Sequence, residues 1–465
     1  MKEVIEGSKF KSRIYQYIAA VAANLGILSI GLHYGWPSAA LPILVSGKYS
    51  FTLTNDEASW LVAVIPMTSL IGDVLAAYTI NKCGRKKLIL FSSIPMTISW
   101  ILIAVADSKT NLFVSRVIAG TIDGLLFTVV PPYLAEISEP DIRGFLGGTF
   151  MSTLAFGLLL ENIMLYFMSI PTAAYISSSF TVLTLFFLPY LPESPYYFLL
   201  HREEVKAKKS LRKFRRRYDV NEEIERMTNG IEEDGEEGNI LELLRNKTYR
   251  KCFLLSLLLT LTQHLSGIMP IQSYAETLFT ETKDFLSPST ANIIYYLIFF
   301  LSAIVSLNLA DRTGRRPLVL FAAGIAALCL LSNGIFLYLK TAKKVDTTGL
   351  DFLQLLFISI YTTAYCSGLH LMPVIISTEI FPSNMKGLAL CMINICFSFA
   401  STSCIKLFGW STSFGIYVPF FLFSFCAMVG FILIYKFLPE TKSKTMEQIQ
   451  VELRGSDRKI NRYRG

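Results

Sequence analysis

The side chains of this chain that could act chemically are charged groups and imidazoles, and the charged ones recur at matching intervals in two halves of the sequence. Glu136 stands seven residues before Arg143, and Glu379 stands seven residues before Lys386. Acids and bases spaced in this way can latch neighbouring helix ends together and release them again. The sequence shows no nucleophile–base pair, no metal-ligand spacing and no nucleotide-binding loop. The pattern therefore predicts a protein that is not an enzyme and needs no cofactor.

Two further motifs follow the same repeat. A basic cluster that begins at Arg85 matches a second cluster around Arg315, and Pro192-Glu193-Ser194 matches Pro439-Glu440-Thr441. Three matching pairs in the same order indicate a duplicated unit. Asn81 stands where the second repeat has an acid. Substitutions in the charge network of the second half are therefore expected to lower transport turnover more than those in the first half. The predicted charge network comprises Arg85, Glu136, Arg143, Asp311, Arg315, Arg316, Glu379 and Lys386.

The elements that must position these residues are membrane helices. Of the 465 residues, 52% are hydrophobic and only 17% are charged, against about 25% charged in an average soluble domain. Apolar runs of about 20 residues recur, which is the length a helix needs to cross a bilayer whose interior offers the backbone no partners. We therefore expect an all-α membrane protein with twelve transmembrane helices. The predicted spans are 14–44, 57–80, 88–106, 112–137, 145–168, 171–191, 251–278, 289–310, 317–339, 352–378, 385–408 and 414–437.

The basic residues lie in short polar stretches after the second and eighth spans, which predicts cytoplasmic termini by the positive-inside rule. This distribution explains the net charge of +8 without a nucleic-acid partner. We expect an N-terminal six-helix bundle (1–191), a cytoplasmic linker with short charged helices (192–250), a C-terminal bundle (251–442) and a cytoplasmic tail (443–465). The basic run 202–217 is interpreted as a solvated face beside the membrane, with contact to lipid headgroups as the alternative.

Six motifs in order resemble the sugar-porter family of the major facilitator superfamily, and the resemblance covers nearly the whole chain. They are Arg116-x-x-x-Gly120-x-x-x-Gly124, Pro131-Pro132-Tyr133-x-x-Glu136, Pro192-Glu193-Ser194-Pro195, Gln263-His264-Leu265-Ser266-Gly267, Glu379-Ile380-Phe381-Pro382 and Leu438-Pro439-Glu440-Thr441-Lys442. The opening Gly31-x-x-x-Gly35-Trp36 is most similar to insect trehalose and hexose facilitators. The resemblance implies the major facilitator fold, two pseudo-symmetric six-helix bundles, and transport of a sugar by alternating access through the plasma membrane.

The resemblance also implies a sugar site, but few of its polar residues are present here. One glutamine of the family's sugar site is kept as Gln263. Met151 and Met269 stand at positions where the family has amide side chains, and Val374 stands where it has a tryptophan that packs on the sugar ring. Three histidines fall on spans that line the cavity in this family; they could pair with sugar hydroxyls or simply pack in the core. The predicted substrate-binding residues are Gln263, His264, Met269, Met151, Val374, His33 and His370.

Within the spans, Arg116 and Glu161 are expected at similar depth, where they could pair. Pro37 occupies the position of the acid in proton-coupled sugar porters, which favours facilitated diffusion. The alternatives are a proton-coupled sugar symporter, a porter of a less polar solute, and a non-transporting sugar sensor. The predicted partners are a small sugar and membrane lipids. The sequence does not identify the sugar or the oligomeric state.

Overall fold

The computed structural model describes residues 2–217, 219–233, 240–282, 285–347, 349–381, 383–442, 444 and 448. Within these ranges, the side chains of a few helical residues lie outside the description: those of 2–12, 232, 233, 240, 241, 244, 281, 282, 307, 308, 310–312, 383, 384 and 386.

The first half of the chain forms six long helices. They are α1 (Lys2–Val45), α2 (Asn55–Cys83), α3 (Arg85–Ala104), α4 (Lys109–Ile137), α5 (Pro140–Phe167) and α6 (Ile170–Phe187). In the described part of the charged segment that follows, the chain forms four short helices, and most of the basic run 202–217 lies on the second of them. These are α7 (Pro195–Leu200), α8 (Glu204–Arg215), α9 (Asn221–Glu233) and α10 (Ile240–Arg245).

The second half repeats the six spans but interrupts two of them. Its helices are α11 (Lys247–Leu265), α12 (Ile268–Ser273), α13 (Ala275–Leu278), α14 (Pro288–Thr313), α15 (Arg315–Leu337), α16 (Phe352–Ala364), α17 (Met372–Ile380), α18 (Ser383–Thr412) and α19 (Val418–Phe437). The prediction of twelve spans is confirmed, because twelve helical segments of the described chain are long and apolar enough to cross a membrane.

Two spans that the sequence predicts as single helices are broken. The span predicted over 251–278 stops at Ser266 and restarts after Gly267, whose φ of 85° lies in the left-handed region. A Cβ there would lie 2.3 Å from the Phe423 ring, so both the backbone and the packing require glycine. The span predicted over 352–378 contains a π-helical turn, Tyr365–Leu369, between α16 and α17.

The chain divides into two compact units. Unit 1 comprises residues 1–36, 47–52 and 64–235, and unit 2 comprises residues 37–46, 53–63 and 236–465. In unit 1, α3 packs mainly on α4 and α6; in unit 2, α15 packs mainly on α16 and α19. These are the corresponding helices of the two repeats, so the sequence duplication is also a duplication of packing.

Close helix contacts in unit 1 depend on the glycines of two sequence motifs. A Cβ at Gly31 of α1 would lie 2.3 Å from the Leu154 carbonyl oxygen of α5. A Cβ at Gly124 of α4 would lie 1.9 Å from the Ser69 carbonyl oxygen of α2. Small residues let backbones approach in this way, which is how membrane helices gain packing energy.

Candidate functional site

The charge network of unit 1 joins α3, α4 and the start of the linker. Arg85 pairs with Glu136 at 3.1 Å, and the Ser194 hydroxyl donates to the other carboxylate oxygen. The neighbouring Glu193 accepts the backbone N–H of Lys86 at 2.9 Å and so caps the N-terminus of α3. This network ties the first residues after α6 to the ends of two other helices.

Unit 2 repeats this arrangement, with the backbone donors to the capping acid displaced by one residue. Arg315 pairs with Glu379 at 3.1 Å, and the Thr441 hydroxyl donates to the other carboxylate oxygen at 2.6 Å. Glu440 accepts the backbone N–H groups of Arg315 and Arg316 at 3.0 and 3.2 Å. Although its partial burial acts in the opposite direction, these N–H donors and those of residues 441 and 442 hold the pKa of Glu440 below its ordinary value.

Not all predicted network residues join these clusters. Glu136 pairs with Arg85 and not with Arg143, which lies seven residues after it in the sequence. Arg143 is exposed and has no ion-pair partner among the described residues. The Arg316 side chain donates to a carbonyl of α19 at 2.8 Å. The side chains of Asp311 and Lys386 lie outside the described residues.

The helix break at Gly267 positions the one retained family glutamine. Gln263 lies in the last turn of α11, is 7% exposed, and donates to the His370 carbonyl at 3.3 Å. The Tyr361 hydroxyl donates to the Ser266 carbonyl at 3.0 Å, which satisfies one of the carbonyls freed by the break. The π-helical turn before His370 and the end of α11 therefore meet at Gln263.

Two histidines are linked to Gln263: His264 follows it in the sequence, and His370 provides the carbonyl to which its amide donates. His264 is fully buried, with Nδ1 3.0 Å from the Ser401 hydroxyl and its ring edge-on to Phe397. His370 packs edge-on to Phe299 at a centroid distance of 5.6 Å. The Nε2 atoms of both histidines are buried and lack a hydrogen-bond partner in the described part of the chain. Each Nε2 is a polar group that a ligand or a water could satisfy.

The apolar members of the predicted site differ in exposure. Met269 on α12 is half-buried, as is Met151 on α5 of unit 1, whereas Val374 on α17 is 47% exposed. Gln263, His264, His370, Met269 and Val374 all belong to unit 2.

His33 is held in the core of unit 1. Its ring stacks on Trp100 at 3.9 Å, and its Nε2 lies 3.2 Å from the Ser99 hydroxyl. Arg116 donates to the His33 carbonyl at 2.7 Å and lies over the Trp36 ring at 4.3 Å. With 1% exposure, His33 packs as an interior residue.

The expected ion pair between Arg116 and Glu161 does not form among the described contacts. Arg116 uses the His33 carbonyl and the face of Trp36 instead. Glu161 is fully buried and accepts the Ser177 hydroxyl at 2.9 Å. The two side chains form no salt bridge among the described contacts, and each instead contacts a neutral partner on an adjacent helix.

Sequence reasoning missed several residues of these sites. Glu193 and Glu440 appear in the sequence analysis only as members of repeated and family motifs, whereas in the structure they cap α3 and α15. The sequence did contain a signal, because each repeat has one such acid and one Gly-Arg pair, Gly84-Arg85 or Gly314-Arg315. In the structure these two glycines precede the capped helices, with φ values of 91° and 105°. A Cβ at Gly84 would lie 2.6 Å from the Glu193 carboxylate. Nothing in the local sequence marked Ser401 as the partner of a histidine.

Comparison with solved structures identifies the fold. The chain resembles the xylose transporter XylE from E. coli in a partially occluded inward-open conformation, with a TM-score of 0.77 and 21% identity over 93% of this chain and 99% of that one. A second XylE structure, described as a major facilitator superfamily proton:xylose symporter, has a TM-score of 0.72 and 21% identity, over 95% of this chain and 100% of that one. The predicted major facilitator fold is confirmed.

The chain is also similar in sequence to curated insect proteins. Facilitated trehalose transporters Tret1 from Bombyx mori and Culex quinquefasciatus are each 28% identical, over 96% and 97% of this chain and 88% of each relative. The Tret1 of Drosophila willistoni is 27% identical over 99% of this chain, which spans 55% of that longer relative. The model of the family described as "Sugar (and other) transporter" matches residues 18–453. The chain is therefore a multi-pass membrane transporter, not an enzyme, and belongs to the sugar (and other) transporter family.

Proposed function

We propose that this transporter moves a hexose or a disaccharide such as trehalose by alternating access, as facilitated diffusion. The observation that carries the proposal is the Gln263 amide at the helix break, which donates to the His370 carbonyl. His370 and His264, the residue after Gln263, each have a buried Nε2 without a hydrogen-bond partner among the described residues. A sugar hydroxyl that leaves water needs replacement hydrogen bonds, since an unpaired buried polar group costs ~1–3 kcal/mol. Similarity to insect facilitated trehalose transporters supports the substrate class.

The test is uptake of radiolabelled trehalose, glucose and a polyol into proteoliposomes that contain the purified chain. Gln263→Ala should weaken sugar binding by about one or two hydrogen bonds, ~1–3 kcal/mol, or roughly 5- to 150-fold. The matched control is Gln354→Ala, which removes another buried amide that donates to a backbone carbonyl, that of Leu278 at 2.9 Å. Equal effects of the two variants would argue against a substrate contact at Gln263.

Facilitated diffusion predicts that uptake equilibrates and that an imposed proton gradient drives no accumulation. Accumulation above the outside concentration when the outside is acidic would instead establish proton-coupled symport. Absence of transport of any sugar, with specific sugar binding intact, would favour a sensor.

A less polar solute is the second candidate, and the half-buried Met269 beside the helix break favours it. Met269→Asn should strengthen hexose binding if the site accepts a sugar, because it adds a second amide to the predicted site. If Met269→Asn brings no gain while an apolar ligand binds to the parent chain, the second candidate is correct.

We also propose that the two networks around Glu136 and Glu379 open and close with the transport cycle, and that the protein lies in the plasma membrane with both termini in the cytoplasm. The repeated basic residues at Arg85 and Arg315 support this orientation. An impermeant label applied to intact cells should fail to reach α8; labelling of α8 from outside would reverse the orientation.

A further inference from the structure

A cavity of about 760 Å³ lies in unit 1, between the linker helices and the adjacent ends of the membrane helices. We call it the linker cavity. Its walls come from the start of the first span, the ends of α4 and α5 that face the linker, and α7, α8 and α9. Its volume falls within the range of about 300–1,000 Å³ typical of small-molecule sites.

The acids that line the linker cavity already have basic partners. Glu139 and Asp141 pair with Arg13 at 2.6 and 2.8 Å. Glu223 pairs with Arg215 at 2.7 Å, and Arg215 also donates to the carbonyl of residue 137. Glu136, the remaining acid of the lining, pairs with Arg85 outside it. Each of these acids therefore has an arginine partner, although Glu139 and Asp141 share one.

Three further arginines of the lining have no such partner. Arg143, Arg217 and Arg226 are exposed, and no carboxylate among the described residues pairs with any of them. Arg226 uses one N–H on the carbonyl of Glu222 at 3.2 Å. The cavity thus holds three guanidinium groups from α5 and from both sides of the turn between α8 and α9. Their planar forks are suited to bidentate contacts with phosphate oxygens.

We propose that the linker cavity binds a phosphate-bearing anion through Arg143, Arg217 and Arg226. This function goes beyond solute transport and uses none of the residues around Gln263. A bound phosphate would bridge α5 to α8 and α9 and so hold the linker on the ends of the membrane helices. The phosphate could belong to a lipid headgroup or to a soluble metabolite, and the two sources are separable by experiment.

The test uses the purified full chain and one headgroup in two forms. Soluble inositol 1,4,5-trisphosphate is titrated onto the protein in detergent, and phosphatidylinositol 4,5-bisphosphate is titrated in nanodiscs. The triple variant Arg143→Gln/Arg217→Gln/Arg226→Gln should weaken binding at least about tenfold, because it removes the three arginines of the lining that have no carboxylate partner among the described residues. The double variant Arg217→Gln/Arg226→Gln keeps the test decisive if the triple variant does not fold.

The matched control is Lys209→Gln, which removes one charge from an exposed position of α8 outside the cavity. It should leave binding within about twofold of the parent, since a single distant surface charge is screened at physiological salt. Binding in both forms indicates that a soluble ligand suffices, and binding only in nanodiscs identifies the lipid as the source. Failure to bind either probe, or equal losses in Lys209→Gln and the arginine variants, would overturn the proposal. Loss of sugar uptake by itself would bear only on the proposed transport function.

Discussion

The two charge networks provide a matched pair of sites for measuring what burial does to an ion pair. The distances agree, at 3.1 Å for Arg85–Glu136 and 3.1 Å for Arg315–Glu379, and a hydroxyl donates to each acid. Their environments differ: the side chains are 5% and 13% exposed in unit 1, against 15% and 27% in unit 2. Glu136→Gln and Glu379→Gln make the same chemical change in both places.

The more buried pair should respond more strongly. Removal of one partner of a buried ion pair costs about 3–5 kcal/mol because the other charge stays desolvated, whereas exposed pairs contribute about 0–1 kcal/mol. We therefore expect Glu136→Gln to destabilise the protein by about 3 kcal/mol and Glu379→Gln by about 1–2 kcal/mol. This ranking concerns stability, whereas the larger effect expected in the second half from Asn81 concerns transport turnover.

The assay is unfolding of the purified protein in detergent, followed by tryptophan fluorescence. Each variant is combined with Arg85→Leu or Arg315→Leu in a double-mutant cycle, which isolates the energy of the pair from other effects of each change. The coupling energy should be larger in unit 1. Equal couplings, or a larger one in unit 2, would show that burial does not set the strength of these networks.

Three further outcomes are expected. Gly267→Ala should abolish most uptake and lower the melting temperature, because its Cβ would meet Phe423 at a left-handed φ, whereas Gly144→Ala, with open space around its Cβ, should match the parent in both assays. Gly124→Ala should also lower the melting temperature, by separating α2 and α4; an unchanged value would mean that the helices part freely. Since the pKa of Glu440 is lowered on folding, its contribution to stability is full at neutral pH and is lost as the pH falls through the folded pKa. The melting temperatures of the parent and Glu440→Gln should therefore differ at pH 7 and converge in acid, and a difference independent of pH would contradict the capping role.

The membrane spans were predictable because hydrophobic length alone determines whether a helix can cross a bilayer. The interruptions were not predictable in the same way. Gly267 lies within a span predicted as one helix over 251–278, and it is the Phe423 ring of another helix that excludes a side chain there. A residue distant in the sequence thus restricts this position of the candidate site to glycine.

Partner choice within the charge networks shows a similar limit. The spacing of Glu136 and Arg143 suggested a local pair, but the chain leaves the helix at Ser138 and restarts at Pro140. That turn carries Arg143 away from Glu136, while Gly84 starts α3 with Arg85 facing the acid at 3.1 Å. The duplication in the sequence pointed to acids and bases that form the Arg85–Glu136 and Arg315–Glu379 ion pairs; the geometry of the turns selected the partners.

The histidines show why residue type alone could not define the substrate site. His33 and His264 are both fully enclosed, and each has one ring nitrogen near a serine and one without a partner. His33, however, is sealed by a stacked Trp100 inside a continuous helix. His264 instead lies two residues before a helix break and directly follows Gln263, whose amide donates to the His370 carbonyl. Since a sugar must replace many hydrogen bonds together, the combination of an amide, a helix break and a second histidine, more than any one imidazole, makes this part of unit 2 the better candidate for solute binding.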